Sequence, residues 1–171
     1  HFALGLHALG VGKDDVVALI GDNRPEWLFG EIAAHAVRAS SLGVYRDALE
    51  DEVGYLIEYA KARIVFAEDE EQADKLLTIG DRLASVERIF FSDPRGMRKL
   101  SDPRRMSTEE LSRLGAARAE TEPALYDSLI AAGRGDDVAV LCTTSGTTAR
   151  PKIAMLQAGA LIRHCASYLG A

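Results

Sequence analysis

Short apolar runs alternate along this chain with longer segments whose apolar residues recur at helical spacing. The runs are rich in β-branched and aromatic residues and are bounded by polar residues or glycine, which is typical of buried strands in a parallel sheet. They cover residues 16–20, 42–45, 64–67, 89–91 and 138–142. Because strands that alternate with helices are joined by right-handed crossovers, the pattern predicts an α/β fold with a mostly parallel sheet flanked by helices.

Two of the helices predicted between these strands have clear apolar stripes. Pro25 suits the first position of a helix that continues to about Ser40. Its inner stripe is predicted to consist of Leu28, Ile32, Ala36 and Ala39. The stripe of the next helix consists of Leu49, Val53, Leu56, Ile57 and Ala60. Asp47 and Glu50 have the spacing of a capping box at the start of that helix.

The middle of the chain contains an acidic run and a long polar connection. Residues 68–71 are four consecutive acids whose side chains point in different directions. We interpret them as the solvated start of a helix rather than as a metal site. Residues 92–105 contain two Asp-Pro-Arg units and predict an irregular connection. Its basic residues could contact a partner or an acidic lipid surface, but a solvated loop is the stronger interpretation.

The last third of the chain predicts three more helices and a short strand. Ser107 and Glu110 are spaced as a capping box for a helix through Leu114. Pro123 begins the next helix, whose inner residues are predicted to be Leu125, Leu129 and Ile130. After the last apolar run, a short strand over 153–156 leads to an amphipathic helix. The stripe of that helix consists of Leu161, Ile162, Cys165, Tyr168 and Leu169.

Composition and charge narrow the class of protein. The chain has 171 residues, of which 47% are hydrophobic and 27% charged, and this suits one domain with a real core. The net charge of −6 argues against a nucleic-acid binder, because such proteins need basic surfaces to neutralise phosphates. Cys142 and Cys165 lie in apolar segments, where a free cysteine is expected to act as a small hydrophobic residue. They suit a reducing cytosol, so we predict a cytoplasmic protein.

Trp27 and the histidines have both a structural and a functional interpretation. Trp27 could stack on an adenine, but packing between helix and sheet is the stronger interpretation. No histidine has a carboxylate at a spacing that indicates a catalytic triad, so each is interpreted as structural. The four histidines are His1, His7, His35 and His164.

The most informative stretch covers residues 138–152, with the sequence VAVLCTTSGTTARPK. A buried strand ends there in a loop of hydroxyls and one glycine, and Lys152 follows. Hydroxyls, backbone N–H groups and an ammonium gathered at the carboxyl end of a strand can hold a polyphosphate. Such a cluster also forms ordinary surface turns, and neither the Walker pattern nor G-x-G-x-x-G occurs. The residues alone therefore leave both interpretations open.

The segment TSGTTARPK resembles the signature loop of the AMP-forming acyl-CoA synthetases, an adenylate-forming family whose loop usually has the sequence TSGTTGxPKG. Residues 9–27, 43–76 and 93–104 are similar to the bacterial long-chain fatty acyl-CoA branch of that family. The resemblance covers nearly the whole chain but only the amino-terminal part of such an enzyme. It implies that residues 1–171 are a partial N-terminal α/β subdomain, without the rest of the active site and the C-terminal domain. The matching loop residues are Thr144, Ser145, Gly146, Thr147, Thr148, Pro151 and Lys152.

The resemblance also implies an activity. Members of this family activate a carboxylic acid with ATP and Mg²⁺, form an acyl adenylate, and transfer the acyl group to coenzyme A. Lys152 would neutralise the phosphates of ATP. No catalytic or metal-binding residue is assigned within the chain, so the chain alone is predicted to be inactive. The residues that would surround the phosphates are Thr144, Ser145, Gly146, Thr147 and Thr148.

The expected partners follow from the same resemblance. They are a fatty acid, ATP and coenzyme A, and no nucleic acid is expected. A homodimer and peripheral membrane association through the substrate stay open.

Three positions depart from the family's usual pattern. Ala149 and Ile153 stand where the family usually has glycine, and Ala158 stands where a histidine often follows the loop. Glycine at such places often supplies a positive φ, which a β-branched residue tolerates poorly, so ATP affinity is in question. Two alternatives stay open: a ligase of the same family that acts on an aryl or other acid, and a degenerate protein that binds a nucleotide or acyl group without catalysis.

Overall fold

The structure is a computed structural model that describes residues 1–93, 95, 102–144 and 150–170. Within these residues seven strands form one sheet in the order β5-β4-β3-β1-β2-β6-β7. All neighbouring pairs are parallel except β6 and β7, which are antiparallel. The strands are β1 Val16–Ile20, β2 Ser40–Val44, β3 Ile64–Ala67, β4 Arg88–Phe91, β5 Arg105–Ser107, β6 Val138–Thr144 and β7 Lys152–Gln157.

Helices cover both faces of this sheet, which confirms the predicted α/β class. The central strands are apolar on both sides, as a doubly covered parallel sheet requires. In β1, Val17 and Leu19 join the core on one face, and Ala18 and Ile20 join the core on the other. A 3-10 helix covers Gly80–Leu83. The α-helices are α1 Phe2–Ala8, α2 Pro25–Ala36, α3 Glu50–Ala60, α4 Glu70–Thr78, α5 Thr108–Thr121, α6 Leu125–Ala131 and α7 Ala158–Leu169.

Helix α2 buries only part of the predicted stripe: Ala36 and, just past the helix, Ala39 are buried, but the two larger members are not. Leu28 and Ile32 are each 50% exposed, and the helix ends at Ala36 rather than near Ser40. The sheet-facing side consists of small residues, which let the helix lie close to the strands. A Cβ on Gly30 would stand 2.9 Å from Leu19 Cδ2. The helical period alone does not tell which stripe faces the sheet, and here the smaller side chains fit the narrower space.

The predicted capping box before α3 is wrong. The N-cap of α3 is Leu49, whose side chain makes no capping hydrogen bond and is exposed. Asp47 therefore lies too far ahead of the helix to cap it. Three members of the predicted stripe, Val53, Leu56 and Ile57, are buried as expected.

The capping box of α5 is confirmed, although the helix is longer than predicted. Ser107 Oγ accepts a hydrogen bond from the Glu110 N–H at 3.2 Å, and Glu110 Oε2 accepts one from the Ser107 N–H at 2.7 Å. The helix continues past Leu114 to Thr121. The three residues before it form β5, an edge strand that the apolar pattern did not indicate because its residues are only partly buried.

Helix α6 and the two cysteines also differ from expectation. No residue of α6 is buried, and Ile130, which was predicted to face inward, is exposed. Cys142 and Cys165 are exposed as well, so neither is a small core residue. The stripe of α7 is likewise unburied in this chain, with Ile162, Tyr168 and Leu169 exposed.

The predicted polar connection over 92–105 is only partly visible. Residues 94 and 96–101 lie outside the described residues. Asp93 and Arg95 form an ion pair, and so do Asp102 and Arg104. In each Asp-Pro-Arg unit the carboxylate thus pairs with the arginine two positions later.

Candidate functional site

A cleft opens at the carboxyl ends of β1, β2 and β6. Its volume is about 420 Å³, and three segments that leave neighbouring strands line it. Ligands of open α/β sheets bind at this edge, where loops leave the strands. Described lining residues include Gly21, Trp27, Tyr45, Arg46, Leu141 and Thr143.

The charged residues that line the cleft are mostly acidic. Asp22, Glu31 and Asp47 contribute carboxylates, and Arg46 contributes the one guanidinium among the described lining residues. Arg46 already donates to Asp22 at 2.6 Å. A bound polyphosphate would therefore have to be neutralised from the loop after β6 and from Lys152 rather than from the cleft walls.

Strands β6 and β7 place the two ends of the predicted phosphate loop beside each other. Thr144 pairs with Lys152 in the antiparallel register, and its Oγ1 donates to the Lys152 carbonyl at 3.4 Å. Side chains of directly opposed residues lie on the same face of such a pair. The structure thus brings together two of the six predicted binding residues. The other four, Ser145, Gly146, Thr147 and Thr148, lie outside the described residues, as does Ala149.

Ile153 does not have the positive φ that a glycine at this position could supply. It lies in β7 opposite Thr143 and packs against the core as a partly buried side chain. The described non-glycine residues with positive φ are Asp14, Arg38 and Lys61. An extended strand position suits a β-branched side chain, so Ile153 introduces no backbone strain there.

Side chains of α2 and β2 fasten the strand that leads to the loop. Only two residue pairs, Ser41–Val140 and Leu42–Leu141, join β2 to β6 in register. Ser40 Oγ adds a hydrogen bond to the Val138 carbonyl at 2.8 Å, and His35 Nε2 donates to the Ala139 carbonyl at 2.9 Å. These bonds extend a short ladder and set where β6 ends.

His35 is structural, as predicted. Its Nε2 also lies 3.1 Å from Ser41 Oγ, and Ser41 donates in turn to Glu31 Oε1 at 3.2 Å. Although serine, histidine and glutamate meet here, Ser41 is 1% exposed and cannot reach a substrate. The cluster braces β6 instead of supplying a nucleophile.

Arg38 and Asp137 fix the start of β6. Arg38 donates from Nε and Nη2 to the two carboxylate oxygens, both at 2.8 Å. Asp137 also accepts from the Arg134 N–H at 2.9 Å. The guanidinium, followed by this backbone bond, holds the pKa of Asp137 down to about 2.

Glu68 is not the solvated residue that its place in the acidic run suggested. Its side chain is 8% exposed, pairs with Arg24, and accepts from the Asp22 N–H at 2.7 Å. Gly21, with φ of 155°, makes room for it, since a Cβ there would meet Glu68 Cβ at 2.8 Å. Asp69 does cap α4, accepting from the Gln72 N–H at 3.2 Å. The run therefore divides into one structural acid and a helix start.

Trp27 packs against the core between α2 and the sheet, as predicted. A Cβ on Gly43 would stand 3.4 Å from Trp27 Cζ2, so the ring covers the glycine of β2. Trp27 also lines the cleft. One face of the ring is thus committed to packing.

Tyr55 is the residue near the loop that the pattern of the sequence did not single out. Its hydroxyl donates to the Pro151 carbonyl at 3.2 Å, and the Arg150 guanidinium lies 5.0 Å from its ring centroid. Tyr55 lies beside the buried stripe of α3, where an aromatic side chain is ordinarily taken for packing. The available signal was that a partly buried tyrosine hydroxyl needs a hydrogen-bond partner.

Neither a metal-binding cluster nor a membrane-spanning helix is found among the described residues. They contain no group of three or more histidine, cysteine, aspartate or glutamate side chains that could hold a metal ion. In the same part of the chain, every helix is too short or too polar to cross a bilayer.

Comparison with known proteins identifies the family. A family model described as AMP-binding enzyme matches residues 1–170. A long-chain-fatty-acid–CoA ligase of Mycobacterium bovis is 30% identical over 150 residues, which cover 88% of this chain and 23% of that protein. A long-chain-fatty-acid–CoA ligase of Rattus norvegicus is 27% identical over 154 residues, which cover 90% of this chain and 21% of the relative. The chain spans less than a quarter of the length of these relatives.

Solved structures share the fold. A fatty acyl CoA synthetase of Mycobacterium tuberculosis aligns with a TM-score of 0.66 and 21% identity, over 92% of this chain and 27% of that one. An anthranilate CoA ligase in complex with anthranoyl-AMP aligns with a TM-score of 0.69 and 17% identity, over 92% of this chain and 27% of that one. Since the family model matches all but one residue, this chain belongs to the AMP-binding enzyme family.

Proposed function

We propose that this chain is the amino-terminal part of an ATP-dependent, AMP-forming ligase that activates a long-chain fatty acid and transfers it to coenzyme A. The observation that carries the proposal is the match of TSGTTARPK to the family's loop, on a chain that the family model covers from residue 1 to residue 170. The names of the relatives at 30% and 27% identity support the fatty acid as substrate.

The loop is assigned to the phosphates of ATP. Hydroxyls and backbone N–H groups of residues 144–148 would hold the β- and γ-phosphates, and Lys152 would add a positive charge. The antiparallel pairing of Thr144 with Lys152 supports this assignment, because it places Lys152 beside the last residue of β6, after which the loop begins. A carboxylate oxygen of the acid would then attack the α-phosphorus, and pyrophosphate would leave with the electron pair of the broken P–O bond.

Magnesium is assigned to the substrate rather than to this part of the chain. Among the described residues no three histidine, cysteine, aspartate or glutamate side chains are grouped to hold a metal ion, and Mg²⁺ is commonly bound through substrate phosphates with one or two carboxylates. We extend the proposal to a cytoplasmic location, with peripheral membrane contact through the fatty acid and a homodimer as further expectations. Coenzyme A would enter after pyrophosphate has left.

ATP–pyrophosphate exchange by the full-length protein tests the proposal directly. Carboxylic acids from acetate to long-chain fatty acids are compared, with aryl acids beside them. We expect exchange to be highest with long chains. No exchange with any acid, from a folded protein, would overturn the ligase; exchange confined to aryl acids would move the substrate to another branch of the family.

A Lys152→Ala variant tests the assigned residue. Loss of one ammonium that neutralises phosphate should lower kcat/KM for ATP by about 10- to 100-fold, the worth of a charge-assisted hydrogen bond. Lys13→Ala is a matched control, since Lys13 is exposed and lies just before β1, at the amino-terminal ends of the strands and away from the loop. Equal exchange rates for the two variants would remove Lys152 from the site.

A further inference from the structure

The peptide group that joins Pro151 to Lys152 is fastened to α3. The Pro151 carbonyl accepts the hydrogen bond from the Tyr55 hydroxyl at 3.2 Å. This carbonyl and the N–H of Lys152 belong to one planar unit. A bond that orients the carbonyl therefore also orients the backbone from which the Lys152 side chain projects.

The Tyr55 ring makes two further contacts. It stacks on Tyr59 one turn later, with ring centroids 5.4 Å apart and an angle of 9° between the planes. The Arg150 guanidinium lies 5.0 Å from the Tyr55 centroid, within the range of a cation–π contact. Two consecutive loop residues, Arg150 and Pro151, thus contact one partly buried side chain.

The hydrogen bond from Tyr55 to Pro151 lies next to β7, the outermost strand on its side of the described sheet. Strand β7 is at the end of the strand order and pairs only with β6 among the described strands. On the other strand, β6 is braced by Ser40, His35 and Arg38. Tyr55 supplies the corresponding brace for the returning side of the loop.

We propose that Tyr55 is a positioning residue for ATP, which acts by fixing the Pro151–Lys152 peptide at the mouth of the phosphate loop. The inference rests on the proposed function, because it assigns Tyr55 to the same nucleotide site. Tyr55 touches no phosphate in this scheme. Its effect passes through the backbone of Lys152.

Two substitutions separate the contacts of Tyr55. Tyr55→Phe removes the hydroxyl and keeps the ring under Arg150, whereas Tyr55→Leu removes both. Tyr59→Phe is the matched control, since it deletes a hydroxyl from the neighbouring ring and keeps the ring that stacks on Tyr55. All are made in the full-length protein.

Steady-state exchange then gives KM for ATP and for the fatty acid. We expect Tyr55→Phe to raise KM for ATP by about 3- to 10-fold, the worth of one neutral hydrogen bond. Tyr55→Leu should raise it by about 10- to 30-fold, because the cation–π contact is lost as well. KM for the acid and the thermal midpoint of Tyr55→Phe should match those of Tyr59→Phe.

Three results would count against the proposal or separate it from the proposed function. An unchanged KM for ATP in Tyr55→Phe overturns it. A parallel change in both KM values and in the thermal midpoint also overturns it, because a merely structural residue would give that result. If the parent protein catalyses ATP–pyrophosphate exchange with no acid, the ligase proposal fails. Hydrogen exchange of the backbone amides of residues 152–157 then tests whether Tyr55 fixes the Pro151–Lys152 peptide. Faster hydrogen exchange in Tyr55→Phe than in Tyr59→Phe supports that role of Tyr55, and equal hydrogen exchange overturns it.

Discussion

Single charged side chains do much to hold the strand that leads to the loop. Asp137 lies one residue before β6 and is 11% exposed, with Arg38 on both of its oxygens. Because the carboxylate is held ionised, its pKa falls to about 2 from an ordinary value of 3.8. A carboxyl group with a depressed pKa stabilises the fold above its unfolded pKa, and this contribution is lost as the pH falls towards the folded value.

An Asp137→Asn variant should therefore be less stable than the parent in a pH-dependent way. The difference in the free energy of unfolding should be full at pH 5 to 7, shrink from about pH 4, and be nearly gone at about pH 2. Urea unfolding at a series of pH values measures it. Asp47→Asn, at an exposed position ahead of α3, is the control. A difference that stays constant down to pH 2 would show that lost packing, not ionisation, explains the effect.

Close contact between elements depends on positions without side chains. Helix α1 crosses α5 with Gly5 against the backbone of Leu111, and Gly115 of α5 lies against the carbonyl of His1. A Cβ on Gly5 would overlap the Leu111 carbonyl and stand 2.6 Å from Leu111 Cδ1, which is fully buried. The two helices can approach this closely only because both positions are glycine.

Replacement of Gly5 by alanine should therefore destabilise the protein, although alanine favours helices by about 1 kcal/mol. Overpacking against a backbone group costs about 1 to 3 kcal/mol and can exceed that gain. Gly12→Ala is the control, because no atom lies within 4 Å of the added Cβ, and it should change stability by less than about 0.5 kcal/mol. Chemical denaturation compares them, and a more stable Gly5→Ala variant would contradict the packing.

Two pairs of residues had the spacing of a capping box, and only one of them starts a helix. The Ser107–Glu110 pair caps α5 because Ser107 ends an edge strand and the helix follows at once. Asp47 and Glu50 have the same spacing, but Asp47 lies in a turn, and the N-cap position is taken by Leu49, after which α3 begins at Glu50. A capping motif thus specifies a helix start only if the chain enters the helix directly after its first residue.

At the scale of the whole molecule, the chain spans less than a quarter of the length of the ligases that it resembles. Residues that line the cleft come from the ends of three strands and the segments after them, and α7 buries none of its apolar stripe. The 171-residue chain alone should therefore form no acyl-CoA from ATP, fatty acid and coenzyme A. Product analysis of the purified chain measures this, with the full-length protein as control. Any ATP-dependent thioester made by the short chain would contradict the prediction.

The sequence by itself determined the approximate positions of the described strands other than β5, the α/β class and the loop that carries the family resemblance. Each depends on residues close together in the chain: apolar runs, turn residues and the segment TSGTTARPK. The tertiary structure decided which side of α2 faces the sheet, that β7 returns antiparallel to β6, and that Tyr55 meets Pro151. These depend on the space left between elements and on partners as many as 96 residues apart, which no local spacing encodes.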